Sequence, residues 1–165
     1  MGAGKSTVGE ILADHLRCEF HDSDVLIVAR MHKGIPEIFA EQGEEGFREI
    51  ESAVIKDLAG RPPAVIALGG GAVARAANRK LLQESGISFY LKWRPEKLLE
   101  RIFDDTNRPL VSGRARESRR HDLLMLYRSR SSIYETADHV VTCEPEMMPA
   151  EIADVILQKL GGPDL

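Results

Sequence analysis

The chain runs Met1-Gly2-Ala3-Gly4-Lys5-Ser6-Thr7 at its start, the residue types and order of the closing part of a phosphate-binding loop, G-x-x-x-x-G-K-[ST]. In such a loop the glycines keep side chains away, so that backbone N–H groups can cradle phosphate oxygens. Lys5 would reach the β- and γ-phosphates, Ser6 would hold Mg²⁺, and the next helix would turn its positive end to the anion. A glycine-rich lead into an ordinary helix would use the same residues. The first glycine of the pattern falls before Met1.

Four further groups have types and spacing suited to an anionic substrate. Asp22 and Asp24, two apart after a short strand, would face one site if the chain is extended there. One could then hold a magnesium shell while the other accepts or orients a hydroxyl proton. Asp24 could equally cap a helix beginning at Val25. Glu44, Arg48 and Glu51 share a helical face, either as a solvated charge-paired surface or with Arg48 reaching inward to a carboxylate. Gly69-Gly70-Gly71 is costly in chain entropy and suits a backbone that approaches a ligand closely. Arg108, held extended by Pro109, could close over a nucleotide, with Arg130 as a second anion clamp.

These groups need elements to carry them. Hydrophobic periodicity predicts helices over about 7–17, 25–32, 35–42, 44–58, 74–84, 95–104, 121–136 and 149–160. Strands are predicted over 18–21, 64–68, 87–92 and 139–142, and the apolar run Ala64-Val65-Ile66-Ala67-Leu68 suits a strand buried on both faces. Residues of about 105–120, arginine-rich and poor in apolar anchors, read as a mobile loop. Strands separated by helices imply a parallel sheet covered on both sides.

The chain has 165 residues, enough for one domain with a sizeable core. A net charge of −4 argues against a nucleic-acid partner. Arginine predominates among the basic residues, which suits bidentate binding of carboxylate and phosphate, although genome composition would leave the same bias. Cys18 and Cys143 form neither a metal motif nor a disulfide framework. No apolar run reaches membrane-spanning length and no signal peptide is recognisable, so a cytoplasmic protein is expected.

Taken together and in order, GAGKST, DSD, IPEIFAEQGEEGFREIE, GGGAV, NRPL and RSRSSIY resemble the shikimate kinase family over essentially the whole chain. The resemblance implies transfer of the ATP γ-phosphate to the 3-hydroxyl of shikimate, with ATP as co-substrate and Mg²⁺ as cofactor. It implies that Gly2, Ala3, Gly4, Lys5, Ser6 and Thr7 bind ATP, that Arg101 lies near adenine, and that Arg108 is the lid arginine. Asp24 would be the base at the reacting hydroxyl, and Asp22 would support the magnesium water shell. Arg48 and Arg130 would bind the shikimate carboxylate, with Glu51 acting through Arg48 or a water. Gly69, Gly70 and Gly71 would form a platform under the ring, and Phe39 and Phe47 its apolar wall.

The implied fold is α/β, a three-layer parallel five-stranded sheet ordered 2-3-1-4-5, in a single monomeric domain over 1–165 with a lid at about 105–120. A loop of this type follows a buried strand, and that first strand is absent before Met1. Lost aliphatics at roughly 1.5–3 kcal/mol each lead to the expectation of an unstable chain whose natural start lies upstream. RSSIY departs from the family's commoner arginine-x-proline-leucine-tyrosine, and the lid motif ends in valine. Two alternatives remain at this level: a related small-molecule kinase such as a gluconate kinase, and the ligand-sensing domain of a transcription regulator.

Overall fold

A computed structural model describes residues 2–104 and 116–161. Seven helices and four strands alternate among them: α1 (Lys5–Leu16), β1 (Glu19–Asp22), α2 (Ser23–Met31), α3 (Ile35–Ala59), β2 (Ala64–Ala67), α4 (Ala76–Ser85), β3 (Phe89–Lys92), α5 (Pro95–Asp104), α6 (Arg116–Tyr134), β4 (His139–Thr142) and α7 (Pro149–Leu160). The class is α/β, as the periodicity predicts. The strands form two parallel pairs, β1 with β2 and β3 with β4, rather than one continuous sheet among the described residues.

Helices cover both faces of β2. Val65 packs toward a core of Val8 and Leu12 from α1, Leu91, Val141, and Ile152 and Ile156 from α7. Its neighbour Ile66, pointing the other way as strand geometry requires, packs toward Ile27 of α2 and Ile38, Val54 and Leu58 of α3. Only Ala67 of β2 is buried, however. The other three residues are half-buried: both faces are covered, as expected, but among the described residues β2 has a hydrogen-bonded strand partner on one edge alone.

One boundary holds and another needs correction. The break expected between helices over 35–42 and 44–58 is there: α3 is two helical stretches that meet at Gly43, whose φ 69° and ψ −174° are not helical and are open to glycine and little else. Of the loop expected over 105–120, residues 105–115, with Arg108 among them, lie outside the described residues, and Arg116–Arg120 already belong to α6. That helix begins in charged residues, so its first turns carry no apolar stripe to betray them. No described helix is long and apolar enough to cross a membrane.

Candidate active site

In a parallel sheet the carboxyl ends of the strands, and the turns that leave them, share one edge. Register sets Asp22 beside Ala67 and Lys92 beside Thr142. The turn Gly69–Gly71 therefore leaves one pair near Asp22, and Trp93 leaves the other.

The phosphate loop lies at this edge. Gly2 and Gly4 have φ 70° and 78°, the left-handed conformation that builds an anion-binding concavity from successive N–H groups. Gly2, Ala3, Gly4, Lys5, Ser6 and Thr7, together with Arg101, line a cavity of 370 Å³. All six expected ATP-binding loop residues and Arg101 thus come together at one cavity.

Asp22 links this loop to the neighbouring strand. Its Oδ2 accepts a hydrogen bond from Ser6 Oγ at 2.6 Å, and its Oδ1 accepts from the N–H of Asp24 at 2.9 Å and of Val25 at 3.4 Å. Asp22 is therefore the N-cap of α2, which corrects the alternative that gave Asp24 that task. The strand ends at Asp22, so Asp24 sits in the first helical turn and not, as expected, on the same extended face. The helix turns its carboxylate to Gly69 instead: a Cβ built on Gly69 would lie 2.6 Å from Asp24 Oδ1 and 3.1 Å from Glu51 Oε1.

The triple glycine is the hub of the second half of the site. Gly69 N–H donates to Ser23 Oγ at 2.9 Å, and Ser23 is fully buried. The Gly70 carbonyl accepts from Tyr134 Oη at 2.5 Å and from Arg130 Nη1 at 3.4 Å. The guanidinium of Arg48 fills the space that a side chain on Gly71 would need. Gly69 and Gly71 are required by close approach, and none of the three has a positive φ. A 3-10 turn over Ala72–Ala74 follows, pinned by Asn78 Nδ2 on the Ala72 carbonyl at 2.8 Å.

Arg48 is mostly buried, with 11% of its side chain exposed, and its Nη1 donates to Glu51 Oε2 at 2.7 Å. This excludes the solvated-surface reading of the Glu44–Arg48–Glu51 face, although Glu44 itself stays exposed, 3.4 Å from Nη2. Glu51 is 1% exposed. Burial pushes its carboxyl above the ordinary value, and nearby Asp24 adds to that, while the Arg48 and Arg130 guanidinium groups oppose it. Phe39 and Phe47 stack with centroids 4.4 Å apart, and Arg48 lies 5.3 Å from the Phe47 ring centroid. Phe47 belongs chiefly to the α2–α3 core.

Sequence reasoning missed two residues here. Ser23, flanked by the aspartates, gave no separate signal. Trp93 is the chain's single tryptophan and follows directly on a strand end, a cue that was available. Its Nε1–H donates to the Ala3 carbonyl at 3.1 Å.

The arrangement can grip a polyphosphate at one side and an anionic, hydroxylated molecule at the other. The family model described as shikimate kinase matches residues 1–161. A shikimate kinase of Cupriavidus pinatubonensis is 43% identical over 162 residues, covering 97% of this chain and 82% of that protein. One from Pseudomonas fluorescens is 44% identical over 162 residues, covering 96% and 92%. Among solved structures, a shikimate kinase from Bacteroides thetaiotaomicron superposes with TM-score 0.91 at 29% identity, covering 97% of this chain and 93% of that one. The Acinetobacter baumannii shikimate kinase in complex with shikimate gives 0.82 at 41% identity, covering 97% and 88%.

Proposed function

The chain belongs to the shikimate kinase family, and we propose from that membership that it transfers the γ-phosphate of ATP to the 3-hydroxyl of shikimate, giving shikimate 3-phosphate and ADP. The observation that carries this reading is the Asp22-Ser23-Asp24 stretch, which touches both halves of the site. Asp22 holds Ser6 of the phosphate loop. Two residues on, Asp24 lies against Gly69, where Glu51, the partner of the Arg48 guanidinium, also reaches. A relative solved with shikimate bound supports the choice of substrate.

Phosphoryl transfer asks for positioning and charge more than for covalent chemistry. Lys5 and the loop N–H groups bind the β- and γ-phosphates, Arg101 lies near adenine, and Arg108 closes over the phosphates. Arg48 and Arg130 bind the shikimate carboxylate, the Gly69–Gly71 backbone lies under the ring, and Phe39 and Phe47 wall it. Asp24 accepts or orients the proton of the 3-hydroxyl, and Glu51 holds Arg48 in place. Ser6 and Asp22, a hydroxyl and a carboxylate 2.6 Å apart beside the loop, fit Mg²⁺, which takes few protein oxygens and keeps waters and substrate phosphates as its other ligands. Bound with the nucleotide, the ion supplies charge neutralisation on the phosphates.

In the family's five-stranded order, 2-3-1-4-5, the pairs β1–β2 and β3–β4 take the places 2-3 and 4-5. Residues 1–165 act as one monomeric cytoplasmic domain, with about 105–120 as its lid. A coupled ADP-release assay with Mg²⁺, ATP and either shikimate or gluconate tests the reaction. Release that depends on shikimate alone is expected. Turnover of gluconate would instead identify a related small-molecule kinase, and tight shikimate binding without ADP release a sensor.

A further inference from the structure

Trp93 is 2% exposed, yet its environment is the phosphate loop rather than apolar core alone. The indole N–H donates to the Ala3 carbonyl at 3.1 Å. The Arg101 guanidinium carbon lies 3.8 Å from the ring centroid, well inside cation–π range. The same connection leads into α5, whose Leu98 carbonyl and Ile102 lie 3.5 and 3.1 Å from a Cβ built on Gly2. One aromatic side chain thus touches both a loop peptide and the arginine that shares the loop's cavity.

Peptide geometry gives that contact a consequence. The Ala3 carbonyl and the Gly4 N–H belong to one planar trans unit and point in opposite directions. Fixing the carbonyl on Trp93 therefore turns the Gly4 N–H away from the indole, on the side where the concavity of the loop can use it. Gly4, at φ 78°, has no side chain to hold this orientation, and glycine peptides rotate readily. An external anchor is what keeps the donor aimed before any anion arrives. While its edge holds Ala3, the face of the indole parks the Arg101 guanidinium at the cavity, which lowers the ordering cost of using that side chain on a nucleotide.

Resting on the kinase reading above for the identity of the nucleotide, we propose that Trp93 is a positioning residue for ATP. It sets the Ala3–Gly4 peptide of the phosphate loop by one hydrogen bond and pre-places Arg101 by stacking. Trp93→Phe keeps a ring of similar character and removes the donor. It should raise the KM for ATP and the Kd for ADP by about 2- to 10-fold, the effect of one neutral hydrogen bond, and leave the KM for shikimate unchanged. Equal effects on both substrates, or none on ATP, overturn the proposal.

The unaltered protein gives a second readout that does not depend on a variant folding. As the only tryptophan, Trp93 should report saturable ADP binding as a change in emission, with the same Kd as equilibrium dialysis. ADP binding by dialysis with no change in emission overturns the role of Trp93 and leaves the kinase reading standing. ADP binding with the emission change but no shikimate phosphorylation sinks the kinase reading and supports the role of Trp93 at a nucleotide site. No nucleotide binding by folded protein overturns both.

Discussion

Arg48 occupies the space in front of residue 71: a side chain there would collide with its guanidinium, and only glycine leaves it room. The relationship couples a helix residue to the turn that leaves β2, 23 positions along the chain. Gly71→Ala should therefore displace Arg48 and raise the KM for shikimate by about tenfold or more, as expected for the loss of a charge-assisted hydrogen bond. The KM for ATP should hold. Steady-state kinetics with each substrate varied in turn checks the split.

Asp24 has a role that a neutral isostere cannot fill. Asp24→Asn should lower kcat by about 10²- to 10⁴-fold, the usual contribution of a positioned general base. ADP binding measured by dialysis should stay near the parent value. Unchanged turnover would remove Asp24 from the reaction.

Asp22 does two jobs with two oxygens, and two substitutions separate them. Asp22→Ala removes the cap of α2 along with the Ser6 partner, so it should cost about 1 kcal/mol and lower Tm by about 2–4 °C for a chain of this size. Asn caps as well as Asp, so Asp22→Asn should keep Tm. Both should raise the KM for Mg²⁺·ATP. Thermal melts beside kinetics at fixed free Mg²⁺ decide the point.

Glu51 makes stability depend on pH in a stated direction. Burial raises its folded value above the ordinary 4.5, so the folded chain holds this proton at pH values where the unfolded chain releases it. The cost of ionising Glu51 is absent below the ordinary value, grows as pH rises toward the folded value, and is complete above it. Compared with Glu51→Gln, the parent's Tm should fall as pH rises through that window and then run parallel. A parent that gains on Glu51→Gln with rising pH contradicts the assignment.

Much of this site was legible because each of its parts advertises itself locally. The Gly-Lys-Ser order, the aspartate pair, the arginine on the Glu44–Glu51 face and the glycine run all needed only residue type and spacing. The periodicity gave α5, α7 and β4 their bounds, since each has an apolar pattern with a clear edge. The features that stayed hidden depend on tertiary contact. Whether Asp22 or Asp24 caps α2 turns on where β1 ends, to within one residue. The first turns of α6 are charged and become helix by continuity with its later turns. The burial of Arg48 comes from Gly71 and Glu51 meeting it, which spacing along one helix does not reveal. Trp93 acts through a carbonyl 90 residues away.

The central claim, that the stretch from Asp22 to Asp24 joins an ATP phosphate loop to a shikimate basin, is tested most directly by identifying the product. Folded protein incubated with Mg²⁺, ATP and shikimate should yield ADP and one phosphate monoester in equal amounts. Phosphorus and proton NMR should place that phosphate on the 3-oxygen. ADP without an ester, an ester on another oxygen, or no reaction from protein shown to bind both ligands would contradict the account.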